Sequence, residues 1–242
     1  MKAIVLTCDK YHPVADNMIE CYQRLWPDNP FTFHIPYQNS YNWFGKYGNK
    51  VKCIRTDVQF KTTVLSLLDG LNDEEWVYWC PDDRYPIWLD VAAHCQIYEW
   101  ILSLSRSVSG VLLLCPPKLK NPNNVDKKDI IRDFQKRVYV RRKNYRQIFL
   151  HQFIRVKVLR TLFGSFPDVL NQAKEMDYRK NELSIPPKQR LYVGTKAVSS
   201  FGESTARGKL TLNMVDELKR KGLSIPVDFK ISDKEIIYRH AN

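Results

Sequence analysis

The sequence predicts an α/β fold: one domain with a mixed, mostly parallel sheet flanked by helices. Three observations predict it. Short apolar, β-branched runs recur at Lys2 to Cys8, Phe31 to Pro36, Lys50 to Arg55, Glu75 to Pro81 and Gly110 to Cys115. Stretches of helical spacing stand between them, and this alternation is the pattern of parallel strands joined by crossover helices. The chain has 242 residues, 44% of them hydrophobic, enough for one substantial core and too few for two full domains.

Lys2 to Cys8 ends in polar Thr7 and Asp9, as a central strand does when its carboxyl end carries function. Asp16 to Trp26 places Met18, Ile19, Tyr22 and Leu25 on one helical side, and Pro27 closes it. Phe31 to Pro36 and Lys50 to Arg55 are short strands across a loop rich in Asn, Tyr and Gly. Thr62 to Leu71 is helical by the spacing of Leu65, Leu68 and Leu71. The apolar run at Trp76 stops abruptly at Asp82 and Asp83. Leu89 to Leu104 reads as a helix, Gly110 to Cys115 as a buried strand, and Lys118 to Asp129 as a loop. The tail carries a strand signal at Leu191 to Val198, a helix signal at Gly208 to Gly222 and an extended piece at Ile236 to His240.

Charged residues at 26% and aromatics at 12% exclude a disordered chain. The apolar start is too short for a secretory signal and is interrupted by Asp9 and Lys10. No stretch reaches membrane-spanning length; Val108 to Pro117 suits a buried strand instead. Six cysteines occur without a CxxC pair, which reads as buried free thiols in a reducing, cytoplasmic compartment. The formal charge is +12, and Lys118 to Arg160 holds fourteen Lys or Arg against three Asp, a net +11. That asymmetry points either to an anionic partner or to a solvated face.

Chemistry concentrates at Asp82 and Asp83. Adjacent carboxylates at the carboxyl end of a strand lie at the ligand edge of an open α/β sheet. A hard cation such as Mn²⁺ or Mg²⁺ neutralises such a pair and leaves coordination positions for substrate phosphates. Pro-Asp-Asp followed by Tyr-Pro also has good turn chemistry. A second cluster, Phe201-Gly-Glu-Ser-Thr-Ala-Arg-Gly-Lys209, combines glycines that allow close backbone approach with the cations Arg207 and Lys209 ahead of a helix start, which suits phosphate. The competing reading is a strand-to-helix loop with Ser204 or Thr205 as cap. His12 reads as a cap of the first helix, while His34 and His94 fall in core-like patterns.

The run Trp76-Val-Tyr-Trp-Cys-Pro-Asp-Asp-Arg-Tyr-Pro86, placed after Ile4-Val-Leu-Thr-Cys-Asp9 and a Leu-rich helix, resembles the Asp-x-Asp region of GT-A glycosyltransferases, over roughly Met1 to Cys115. The resemblance implies a single Rossmann-like GT-A domain over 1–242, with a nucleotide-sugar-binding half at 1–117 and an acceptor-binding half at 118–242. It implies that Thr7 and Asp9 contact base or ribose, and that Asp82 or Asp83 ligates a Mn²⁺ or Mg²⁺ bridging the diphosphate of a UDP- or GDP-sugar. His240 is similar to the late metal-ligating histidine of several such enzymes, and a surface histidine is the competing reading. The chain departs from the family at Arg84, where the motif usually has an acid.

The expected activity is sugar transfer to a glycan or lipid-linked acceptor. Arg207 and Lys209 would stabilise charge on the departing diphosphate together with the metal at Asp83. If configuration inverts, a carboxylate base takes the acceptor proton; Glu203 is the candidate and Asp177 the reserve. Arg141 to Arg146 and Phe149 to Arg160 interleave cations with apolar residues, as would an amphipathic helix resting on an anionic inner-membrane surface or gripping an acidic acceptor. The rival class is a metal-dependent nuclease using Asp9, Asp82 and Asp83 with the basic segment on nucleic acid. No nucleic-acid-binding signature accompanies it.

Overall fold

The computed structural model describes residues 1–39, 42–114, 126–170, 173–206, 208–226 and 228–232. The first half runs β1 (Lys2–Leu6), α1 (His12–Leu25), β2 (Thr32–Tyr37), β3 (Val51–Arg55), α2 (Phe60–Leu67), β4 (Trp76–Pro81), β5 (Arg84–Leu89), α3 (Val91–Ser103) and β6 (Val108–Leu112). The second half adds β7 (Ile130–Arg132), β8 (Val138–Arg141), β9 (Gln152–Arg155), α4 (Val156–Gly164), α5 (Ala173–Glu182) and β10 (Arg190–Gly194). The described chain closes with β11 (Ser199–Glu203), β12 (Thr205–Ala206), β13 (Lys209–Leu210) and α6 (Leu212–Arg220).

Nine strands form one sheet in the order β3-β2-β1-β4-β9-β6-β10-β8-β7. Its pairings orient seven strands one way and set β8 and β9 against them. The anticipated Rossmann-like sheet, mixed and mostly parallel with flanking helices, is the fold observed. Strand alternation divides the core. Ala3, Val5, Tyr78 and Phe153 pack with α1 and α3 residues Met18, Tyr22, Ile97 and Trp100 on one face. Ile4, Val77, Trp79 and Ile154 pack with α2 and α4 residues Leu67, Leu159 and Phe163 on the other. Helices thus cover both faces, and the strand ends are left to carry polar groups.

Several expectations are corrected. Phe149 to Arg160 is no amphipathic helix: its first part enters β9, which inserts antiparallel between β4 and β6, and only Val156–Gly164 is helical. The ladder and the burial of all four β9 residues outweigh helical spacing. Its cations are structural. Arg155 is 5% exposed, lies over the Trp76 ring and donates to the carbonyls of Val108, Leu104 and Ser105. Lys157 and Arg160 pair with Glu74 and Asp73. Arg84–Leu89, a stretch with no strand signal of its own, pairs antiparallel with β11. Asp90 caps α3, its Oδ1 accepting from the Ala93 amide at 3.0 Å.

Among the described residues no helix is long and apolar enough to cross a membrane. Cys8, Cys21, Cys53, Cys80 and Cys95 are free thiols as expected, but only Cys21 and Cys80 are buried: Cys8 and Cys53 are half-buried and Cys95 lies on the exposed side of α3. Cys115, most of the Lys118 to Asp129 loop and the Ile236 to His240 piece lie outside the described residues.

Candidate active site at the ends of β1 and β4

The chain steps from β1 to β2 to β3 on one side of the sheet and then places β4 on the other side of β1. At such a switch the connections diverge and leave a crevice beyond the carboxyl ends of the two central strands, where ligands of open α/β sheets bind. Thr7, Cys8 and Asp9 leave β1 at that crevice, and Asp82 and Asp83 leave β4. The Asp82 amide donates to the Leu6 carbonyl at 3.1 Å, holding the two strand ends together.

Burial pushes the Asp82 carboxyl up to about 8; the Thr7 hydroxyl bonded to it acts downward and the Asp83 charge upward. Asp83 is also raised by burial, against the pull of Arg84 and with the push of Glu203 and Asp177. The Asp83 Oδ1 is enclosed without a hydrogen-bond partner. Two adjacent carboxyls raised by burial, one with an oxygen that makes no hydrogen bond, fit a hard divalent cation. Among the described residues no three His, Cys, Asp or Glu side chains converge on one cation position. Asp82 and Asp83 would therefore need further ligands, from substrate, water or residues outside those described, to hold a metal.

The fold brings the glycine-containing cluster onto this pair from about 120 residues away. β5 and β11 set Arg84 opposite Glu203, with Nη1 to Oε1 at 2.5 Å, while Arg84 Nε lies 4.0 Å from Asp83 Oδ1. The Ser204 amide donates to the Asp83 carbonyl at 2.8 Å and its hydroxyl to the Asp82 carbonyl at 3.3 Å. Gly202 permits the approach: a Cβ there would lie 2.5 Å from Tyr85 Cζ. The segment then forms the hairpin β12–β13, turning at Gly208 with φ +75°, a value glycine adopts without strain. A Cβ at Gly208 would stand 3.7 Å from the Tyr11 hydroxyl, and the Asp82 and Asp83 charges bear on that same phenol. Glycines and strand-end acids share one place.

The anticipated site residues fall as follows. Asp9 accepts from the Gln38 and Asn39 amides at 2.8 and 2.7 Å, so its carboxylate organises the chain after β2. Glu203 is ion-paired with Arg84 and Asp177 with Lys180, each at 2.5 Å. Lys209 lies in β13 opposite Ala206. Arg207 and His240 lie outside the described residues. Thr211, not Ser204 or Thr205, caps α6, its hydroxyl accepting from the Met214 amide at 3.1 Å. His12 does not cap α1; its Nε2 bonds the Pro36 carbonyl at 2.9 Å. His34 and His94 are buried. The sequence reading missed Tyr11 and Ser204 as neighbours of the acids and missed Arg84 as the partner of Glu203. Only the last had a signal, opposite charges on two strands, and it is unreadable before the register is known.

No family model matches the chain, and no curated protein does. Solved structures overlap it in part. The galactosyltransferase LgtC in complex with donor and acceptor sugar analogues is 11% identical, with 94% of this chain and 85% of that one covered and a TM-score of 0.41. The Francisella tularensis 2-C-methyl-D-erythritol 4-phosphate cytidylyltransferase is 14% identical, with 91% and 97% covered and a TM-score of 0.45. A mannosyltransferase from Pyrobaculum calidifontis in complex with GDP-Man and Mn²⁺ is 12% identical, with 86% and 57% covered and a TM-score of 0.45. No residue role is transferred from them.

Proposed function

We propose that this chain is a metal-assisted glycosyltransferase of the GT-A type that binds a UDP- or GDP-sugar at the β1/β4 crevice and transfers the sugar to a glycan or lipid-linked acceptor. One observation carries the reading: two adjacent carboxyls, one with a buried oxygen that makes no hydrogen bond, stand at the topological switch point of the sheet. Asp82 and Asp83 would hold Mn²⁺ or Mg²⁺, which supplies Lewis-acid stabilisation of the leaving diphosphate. Thr7 and the loop braced by Asp9 would face the nucleoside. Arg207 and Lys209 would meet the phosphates, and Arg84 holds Glu203 at the site edge. Glu203 would accept the acceptor proton if its pairing with Arg84 opens, with Asp177 on α5 as the alternative base. His240 would complete the metal ligands. The donor rests mainly on residues 1–117, and the acceptor, with any anionic membrane surface, on 118–242. The nuclease alternative loses support because Arg137, Arg155, Lys157 and Arg160 are taken up by Asp133, Glu74 and Asp73.

A thermal-shift series tests the reading, because a ligand that binds only the folded state raises its stability by mass action. UDP or GDP with Mn²⁺ is expected to raise the melting temperature by more than either component alone. If no nucleoside diphosphate moves the melt with any divalent metal, the donor site is wrong.

A further inference from the structure

His151 stands immediately before β9, is 2% exposed, and is absorbed by no role assigned so far. Carbonyls alternate sides along a strand, so the Pro81 carbonyl at the end of β4 points away from β1 and toward β9. The β9 ladder stops two residues short of it, at the pair Trp79–Gln152, and no backbone donor of β9 reaches Pro81. His151 Nε2 fills that place, 2.9 Å from the Pro81 oxygen. A carbonyl only accepts, so Nε2 carries the proton and Nδ1 is an acceptor. Tyr22 therefore donates to Nδ1, at 2.6 Å, and its oxygen is left to accept from the Tyr78 hydroxyl at 3.0 Å. Every proton in this buried chain is fixed by the one carbonyl next to Asp82. Burial also pushes the imidazole down to about 3, which favours the neutral ring that these hydrogen bonds require.

The ring makes a second connection. Phe201 of β11 packs on it with centroids 4.7 Å apart, and two residues along the same strand lies Glu203, followed by Ser204. One imidazole therefore touches both strands that meet at the acids.

We propose that His151 is a positioning residue that aligns the Asp82–Asp83 strand end with the Glu203–Ser204 strand, so that the cation and the phosphate-facing hairpin share one geometry. The proposal rests on the reading of the site as a metal and nucleotide site, but its structural half is measurable without a nucleotide. His151→Phe keeps the ring and removes both hydrogen bonds; His151→Gln restores a donor toward Pro81. Amide hydrogen exchange in the intact protein is expected to show at least tenfold faster exchange at Asp82 and Ser204 in His151→Phe, with Ile4 and Val77 unchanged, and partial recovery in His151→Gln. Binding of UDP with Mn²⁺ is expected to weaken at least tenfold in His151→Phe while the melting midpoint of the free protein falls only slightly. Uniform acceleration of all amides, or unchanged exchange at Asp82 and Ser204, overturns the positioning role. If His151→Phe does not fold, His151→Gln alone decides: equal protection loss at core and site amides overturns it. Should the wild-type protein bind no nucleoside diphosphate while the exchange pattern holds, the proposed function fails and the alignment by His151 stands.

Discussion

Burial at a strand end, with another carboxyl beside it, pushes the Asp82 carboxyl up to about 8 against the downward pull of the Thr7 hydroxyl and nearby backbone amides. An unfolded Asp titrates near 3.9. The folded state therefore binds the extra proton between about pH 4 and pH 8, and this group's contribution to stability is present below that window and lost as pH rises through it. In the presence of a chelator, the melting temperature is expected to decline from pH 5 to pH 8.5, and Asp82→Asn should flatten that decline and be the more stable protein at pH 8.5. Mn²⁺ should reverse the wild-type loss, since the cation favours the ionised form. A variant whose pH profile matches the wild type in chelator would exclude Asp82 as the titrating group. The residue types here were readable in the sequence; the unusual proton affinity was not, because desolvation depends on what surrounds the carboxyl.

At the level of elements, the pairing of β5 with β11 decides whether the acids and the hairpin meet. Gly202 opposite Tyr85 is its tightest point. Gly202→Ala forces the strands apart or the ring aside, and overpacking of this kind costs about 1 to 3 kcal/mol. Urea unfolding should register that loss, and UDP binding with Mn²⁺ should weaken in parallel because the Ser204 bonds to Asp82 and Asp83 lengthen. Undiminished stability and affinity would mean that the ribbon adjusts without cost. Helix and strand alternation through β6 was legible, β5 apart, because those elements have their own periodicity. β5 and β9 were not: Arg84–Leu89 contains Pro86 and alternates poorly, and Gln152–Arg155 is short and followed at once by a helix. Both are strands because of the neighbours they pair with.

Across the whole molecule, the fold takes up part of the charge of Lys118 to Arg160 and leaves Lys127, Lys128, Arg132, Lys136, Lys143 and Arg146 exposed. Arg142 is 7% exposed and bonds Gln152, Arg155 is enclosed, and Lys157 and Arg160 tie α4 to Asp73 and Glu74. Replacing Arg142 would therefore report on stability, whereas Arg141 and Lys143 border an open hollow with Asp129. Gln at both positions is expected to weaken use of an acidic acceptor or binding to anionic vesicles, with nucleotide affinity changed less than about twofold, since exposed charges are screened beyond about 8 Å. Loss of nucleotide affinity in that double variant, with the fold intact, would assign these cations to the donor side.

The sequence by itself determined the α/β class, the strand that ends in Asp82 and Asp83, and the glycine-containing segment at Phe201 to Lys209, because each is a local pattern of side chains along a few residues. Tertiary structure decided that these two segments meet, that β9 separates β4 from β6, that Arg84 belongs to Glu203 and that Arg142 and Arg155 of the basic run are buried. Those outcomes depend on strand register and burial between residues far apart in the chain, and neither quantity exists until the sheet has formed.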